Sequence, residues 1–210
     1  MISYKLLLSI IPLLVLVGFP FVGSVGASSE MWSQTYGGTA DDYAEAMVQT
    51  SDGGYALAGY TRSFGAGSYD FWLVKTNGYG EIEWNQTYGG ADIDQAYALV
   101  ETSDGGYAIA GGTKSFGAGS YDFWLVKTDD YGNVEWNQTY GGTGVERAFV
   151  LVETSDGGYA LAGGLNGDFW LAKADEHGVI PEFPSWIVPP LFLVATLSAI
   201  IVKKRLLHPR

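Results

Sequence analysis

WNQTYGGADIDQAYALVETSDGGYAIAGGTKSFGAGSYDFWLVKTDDYGNVE, residues 84–135, is one complete period of this chain. Trp32, Trp84 and Trp136 stand 52 residues apart, and each opens the string WSQTYGG or WNQTYGG. TSDGGYALAG at 50–59 returns as TSDGGYAIAG at 102–111 and TSDGGYALAG at 154–163. SYDFWLVKT at 68–76 returns at 120–128 and, shortened, as GDFWLAKA at 167–174. Repetition at this length marks an array in which each unit buries its apolar face on the next. It also supplies an internal control. A residue present in all three copies is read as structural, because a functional constellation is normally single and asymmetric.

Each period reads as four short strands separated by turn signals. In the second copy they are expected at Tyr97–Glu101, Tyr107–Gly111, Asp122–Thr128 and Asn133–Tyr140. The first three are nearly continuous apolar runs, AYALVE, GYAIAG and DFWLVK, which suggest strands covered on both faces. The fourth alternates. In the first copy Ile82, Trp84, Gln86 and Tyr88 share one face, and Glu83, Asn85 and Thr87 the other, as in a half-exposed outer strand. Ser-Asp-Gly-Gly joins the first two strands as a hairpin turn that needs positive φ. No helical periodicity competes. The expected fold is therefore all-β, a β-propeller-like array of three four-stranded repeats at 32–83, 84–135 and 136–180, within an ectodomain spanning 28–180.

The ends of the array are uneven. The third copy stops after its third strand, Asp168–Lys173, and the first is preceded by an orphan fourth strand, MWSQTYGG at 31–38. Closed propellers have about four to eight blades. The sequence thus leaves three outcomes open: a small three-bladed ring, a six-bladed ring shared by two chains, or an open stack.

Outside the repeats the composition changes. Residues 1–27 carry Lys5, an apolar run from Leu6 to Val17, and Val25 and Ala27 in a small-x-small pattern. This is the layout of a cleaved secretory signal peptide. At the other end Phe183 to Val202 is 20 residues without a charge, and such a helix covers about 30 Å, one bilayer core. A transmembrane helix is expected at 186–202, followed by a basic tail at 203–210 that opens with Lys203, Lys204 and Arg205. Basic residues stay cytoplasmic, so the repeats are expected outside the cell membrane, anchored by the C-terminus.

All 23 acidic residues but only six basic ones fall in 28–185, a net charge of −17. Such a surface repels nucleic acid. The absence of cysteine excludes disulfides and thiolate metal sites. Asn85-Gln86-Thr87 and Asn137-Gln138-Thr139 are N-glycosylation sequons, where the first copy has Ser33-Gln34-Thr35. Asp52, Asp104 and Asp156 read as turn residues. Asp70, Asp122 and Asp168 read as acceptors for backbone groups between strands. The segments TADDYAEA, ADIDQAYA and TGVERAFV differ most between copies. They are expected to be loops able to carry binding function, with Asp41, Asp42, Asp92, Asp94, Glu146 and Arg147. Asp92 and Asp94 offer oxygen ligands of the kind Ca²⁺ takes, but no full metal-binding loop surrounds them and solvated acids are the plainer reading. SFGAGSY at 63–69 and 115–121 lacks the Gly-Lys-Ser/Thr of a phosphate-binding loop. The only histidines, His177 and His208, cannot assemble a Ser-His-Asp set or a His metal site. No catalytic residue and no cofactor is expected.

Two stretches resemble known families. KTDDYGNVEW at 127–136 resembles the D-x-x-G-x-x-x-W turn of quinoprotein-like (PQQ-type) propeller blades, and also an Asp-box hairpin with one extra residue. Pro181, Glu182, Phe183 and Pro184, followed by the apolar span and Lys203 to Arg205, resemble the PEF-type C-terminal sorting signal of archaeal surface proteins. That resemblance implies an archaeosortase-like transpeptidase as partner, which removes the tail and attaches the protein to a surface anchor. The repeats resemble those of archaeal surface proteins. The function expected is a surface-anchored, non-enzymatic β-repeat module for adhesion or for binding a ligand such as a glycan or protein. A carbohydrate-active or quinoprotein-like propeller enzyme is the rival, and a truncated repeat protein acting only as a homo-oligomer is a third reading.

Overall fold

The computed structural model describes residues 31–180. The expected signal peptide, the sorting motif at Pro181 to Pro184, the transmembrane helix and the basic tail lie outside the described residues. Among the described residues no helix is long and apolar enough to cross a membrane.

The described chain is all-β, with eleven antiparallel strands in three sheets. The first sheet orders β1 (Asp42–Gln49), β2 (Tyr55–Thr61), β3 (Asp70–Thr76) and β4 (Ile82–Tyr88) side by side. The second repeats this with β5 (Asp94–Glu101), β6 (Tyr107–Thr113), β7 (Asp122–Thr128) and β8 (Val134–Tyr140). The third holds only β9 (Glu146–Glu153), β10 (Tyr159–Leu165) and β11 (Asp168–Ala174). It is three-stranded where a four-stranded repeat was expected, because no EWNQTYGG string follows Lys173.

The turns form as their residues dictate. Gly53, Gly105 and Gly157 sit at φ 88°, 89° and 81° in the Ser-Asp-Gly-Gly hairpins. In the first of these, Asp52 Oδ1 accepts the Gly54 N–H at 2.9 Å. Its other oxygen reaches Lys75 Nζ at 2.8 Å, and that ammonium also donates to Glu83 at 2.7 Å and to the Thr76 carbonyl at 3.0 Å. The aspartates are turn residues as expected, and they also balance a buried lysine that the apolar run DFWLVK had concealed. Lys127 repeats the arrangement with Asp104, Glu135 and the Thr128 carbonyl. Lys173, with no fourth strand over it among the described residues, keeps Asp156 and is exposed.

Sheets pack face to face along the array. Phe71 and Leu73 of the first sheet bury themselves against Ile109, Trp124 and Val126 of the second. Phe123 and Leu125 do the same against Leu151 and Leu161 of the third. Each phenylalanine ring lies over a glycine and against a tryptophan. A Cβ on Gly111 would stand 2.8 Å from Phe71 Cζ, and one on Gly163 2.7 Å from Phe123 Cε1. The Phe71 and Trp124 ring centroids are 4.7 Å apart, those of Phe123 and Trp170 4.3 Å. At Gly59, Gly111 and Gly163 alike a Cβ would also fall about 2 Å from the backbone carbonyl of Tyr43, Gln95 or Arg147 on the neighbouring strand, which accounts for the repeated Ala-Gly in the second strand.

The fourth strand of each complete sheet also reaches forward. Trp84 packs edge-on against Tyr107 at 5.7 Å, and Tyr88 Oη donates to the Gly132 carbonyl at 2.7 Å. Residues 32–38 make the same two contacts with the first sheet: Trp32 on Tyr55 at 5.8 Å, and Tyr36 Oη to the Gly80 carbonyl at 2.7 Å. Yet 31–38 is not a strand, contrary to the expected orphan strand. It sits where a fourth strand sits, but no third strand lies beside it to share a ladder. Packing joins first sheet to second and second to third, and among the described residues the outer edge of β11 has no partner. The array is open.

Candidate functional site

The segments where the copies differ were expected as loops. They run instead into β1, β5 and β9, the strands at one edge of each sheet. A bulge hides this in sequence: register shifts between Ala44 and Ala46, and between Ala96 and Ala98. The extra residue breaks the alternation that would carry the strand back to Asp42 and Asp94, ahead of the apolar run by which it was read.

Those bulged residues, Glu45 and Tyr97, are themselves positions where the copies differ. So are Tyr43, Gln95 and Arg147, and Tyr60, Gly112 and Gly164. The structure joins the aromatic ones ring to ring. Tyr43 and Tyr60 centroids are 5.0 Å apart, Tyr60 and Tyr97 6.5 Å, Tyr97 and Phe149 5.3 Å. Tyr69 meets Tyr60 edge-on at 5.3 Å. One tract therefore crosses all three sheets, with Tyr43 and Phe149 exposed and Tyr60 and Tyr97 half-buried.

Cations fringe it. The Arg147 guanidinium lies 3.7 Å from the Tyr121 ring centre, Lys114 Nζ 4.6 Å from the same ring, and Arg62 5.6 Å from that of Tyr69. These are three of the six basic residues in 28–185. Half the positive charge of a strongly acidic segment is thus in cation–π contact with Tyr69 and Tyr121, the tyrosines that precede β3 and β7. Burial, and then Glu45 beside it, pushes the Tyr60 phenol up to about 12. Tyr97 is raised by burial, with Arg147 opposing, and its hydroxyl donates to Gln95 Oε1 at 3.0 Å. The tract thus offers ring faces, neutral hydroxyls and guanidinium donors together. Such a combination offers an apolar ring face to stack on and polar groups beside it to hydrogen-bond.

The sequence signal for these residues was available. Repeated aromatics such as Phe71, Trp124 and Tyr107 are buried between sheets, whereas Tyr43 and Tyr60 are aromatic in one copy only, and Tyr97 and Phe149 share a position that is Glu45 in the first copy. Reading the differences position by position would have singled out Tyr60, Tyr97 and Phe149.

The two acids weighed as Ca²⁺ ligands, and read more plainly as solvated, part company. Asp94 is buried, with the Thr113 hydroxyl on Oδ1 and, on Oδ2, the Gly90 N–H at 2.9 Å and Ser115 Oγ at 2.7 Å. Asp92 is exposed and accepts the Ile93 N–H at 2.9 Å. A cation drawn to Asp94 would have to displace those donors. Among the described residues no three His, Cys, Asp or Glu side chains are grouped to hold a metal ion. Asp42 and Asp94 each hold a threonine and a serine hydroxyl, and Glu146 takes the equivalent place in the third sheet. Asp41 is exposed, 4.0 Å from Arg62. Asp70 and Asp122 close the Gly-rich loop that precedes their own strand: Asp70 Oδ2 accepts from Ala66 and Gly67, and Asp122 Oδ2 from Gly119. Asp168, whose loop is shortened, is exposed.

Asn85 and Asn137 lie exposed on β4 and β8, and each accepts a tryptophan indole N–H at 3.1 Å, from Trp72 and Trp124 respectively. The side-chain oxygen is thus engaged at an exposed strand edge. We expect mass spectra of the native protein to carry glycan at Asn85 or Asn137 and none in the Ser33-Gln34-Thr35 copy. Both asparagines found bare would remove this expectation.

Compared with protein-family models and with curated proteins, the chain matches none.

Proposed function

We propose that this chain is a surface-displayed, non-enzymatic β-repeat module that binds an extracellular glycan along the Tyr43–Tyr60–Tyr97–Phe149 tract. One observation carries the reading. The positions that escape the repeat, and so are free of the packing duty it imposes, are the ones joined into an exposed aromatic surface fringed by cations. The secretory start, the PEFP signal at Pro181 to Pro184 and the apolar span at 186–202 add the place of action. The repeats face outward at the cell membrane, and an archaeosortase-like enzyme exchanges the tail for a surface anchor.

The test is binding of the full-length protein to a panel of neutral polysaccharides by affinity electrophoresis. Retardation should fall about tenfold on Tyr97→Ala, since loss of one stacked ring costs about 1 kcal/mol or somewhat more. The double change Tyr97→Ala with Phe149→Ala should abolish it. Tyr79→Ala, at an exposed turn, should leave it unchanged. Equal retardation of all variants, or of none on any glycan, would remove the proposal. Release of reducing ends during incubation would favour the enzyme reading instead.

A further inference from the structure

We infer that two copies of this chain join head to tail, residues 32–38 of one copy completing the third sheet of the other as its missing fourth strand. The inference stands apart from the ligand reading, and three observations on the open ends carry it.

The first is the trailing face of the third sheet. Phe71 and Phe123 are 0% and 1% exposed, but Phe169, the same position in the third copy, is 105% exposed. Leu73 and Leu125 are both 0% exposed and Leu171 is 76%. Val150 stands exposed where Ala98 is buried. These side chains face where a following sheet would lie.

The second is the leading face of the first sheet. Met47 is 61% exposed, whereas Leu99 and Leu151 at the same position are 6% and 5%. Beside it is a hollow lined by Tyr36, Leu57, Gly59, Trp72 and Val74. Phe71 seats itself on Gly111 and Trp124 of the second sheet, and Gly59 and Trp72 are those positions in the first. The hollow is the seat for a phenylalanine from a preceding sheet, and among the described residues the unseated phenylalanine at this repeat position is Phe169.

The third is the strand itself. β4 pairs along β3 with Phe71 opposite Tyr88, Trp72 opposite Thr87 and Leu73 opposite Gln86. β8 repeats this along β7, with Phe123 opposite Tyr140. Both strands contain WNQTY, and 32–36 reads WSQTY. It already makes the forward contacts of a fourth strand, Trp32 on Tyr55 and Tyr36 on Gly80. Carried to the open edge of β11, the register sets Phe169 opposite Tyr36 of the second copy, Trp170 opposite its Thr35 and Leu171 opposite its Gln34. An unpaired edge and an unpaired strand of matching sequence are thus both present in every copy. The contact is heterologous, so repeating it closes a ring or extends a filament. Two copies bring six sheets together, three from each, within the range of about four to eight blades in closed propellers.

The chain has no cysteine, so introduced thiols report alone. Two full-length copies with different tags, one carrying Leu171→Cys and the other Gln34→Cys, are co-expressed and purified in mild detergent. They are then treated with a short thiol crosslinker. We expect a product carrying both tags, at least tenfold above that from Leu171→Cys with Tyr79→Cys. Phe169→Asp should return the light-scattering mass to one chain with the far-ultraviolet circular dichroism unchanged. The inference is overturned if the two tagged chains do not crosslink. It is also overturned if a chain carrying both substitutions crosslinks only within itself, which would mean that three sheets close alone, or if the unmodified protein has the mass of one chain at all concentrations.

Discussion

Phe123→Ala is expected to lower the stability of the array by about 3–5 kcal/mol, the range for removing a fully buried phenylalanine. The ring is 1% exposed, stacks on Trp170 at 4.3 Å and lies over Gly163. Trp170 and Leu161 hold their places from the other sheet, so the gap cannot collapse without moving a backbone. In an array whose units touch only their neighbours, loss at one junction also uncouples what lies beyond it. The third sheet, with three strands and no fourth to cover it, should then unfold first. Urea unfolding followed by tryptophan fluorescence should split into two steps, the earlier one with the smaller m-value because one three-stranded sheet exposes less surface than the two four-stranded sheets that follow. Phe149→Ala, at an exposed strand position, should shift the midpoint little. A single transition displaced by less than about 1 kcal/mol would contradict this account of the junction.

The second large effect concerns alkali. Burial pushes the phenols of Tyr107 and Tyr159 up to about 12, and Tyr88 and Tyr140 further still, burial leading and Asp129 and Asp175 adding to it. In the unfolded chain a tyrosine titrates near 10. Above that pH the unfolded state gives up protons that the folded state keeps, so stability is complete below about pH 10 and is lost as pH rises towards 12. Each unit of difference is worth about 1.4 kcal/mol per group, and several buried phenols act together. Lys75 and Lys127 pull the same way. Burial alone would lower their ammonium groups, but hydrogen bonds to Asp52 and Glu83, and to Glu135 and Asp104, more than offset it and raise them. The expected result is a steep transition between about pH 10 and 12. Tyrosinate absorbance near 295 nm should appear together with loss of the near-ultraviolet circular dichroism. Tyr107→Phe should make the alkaline limb shallower. Gradual phenol ionisation with no linked unfolding would show that these rings are more open to water than their packing indicates.

Acid acts on the same lysine cradles from the other side. Burial tends to raise the Asp104 carboxyl, but hydrogen bonds from Thr102, Lys127 and Gly106 outweigh it and hold the group at about 2. Its contribution is present above the ordinary carboxylate range, near 4, and fades as pH falls through about 2.

Much of this architecture is local chemistry repeated, and for that reason the sequence alone determined it. Alternation in IEWNQTY, the apolar run DFWLVKT and Ser-Asp-Gly-Gly act within a few residues of themselves. The strands over Asp122–Thr128 and the turns at Gly53, Gly105 and Gly157 therefore stand where the chain's own pattern put them. The three-stranded end followed from a string that is missing. Tertiary structure decided the rest, because partners on other strands and in other sheets choose what a side chain does. Lys127 is read as buried only once β7 has Asp104 on one side and Glu135 on the other. Asp94 looks like a solvated acid until Thr113 and Ser115 close over it. Tyr60 and Tyr97 lie on strands of different sheets, and only the stacking of those sheets makes them neighbours. Residues 31–38 carry the sequence of a strand and are not one, since a strand exists only through the edge it pairs with.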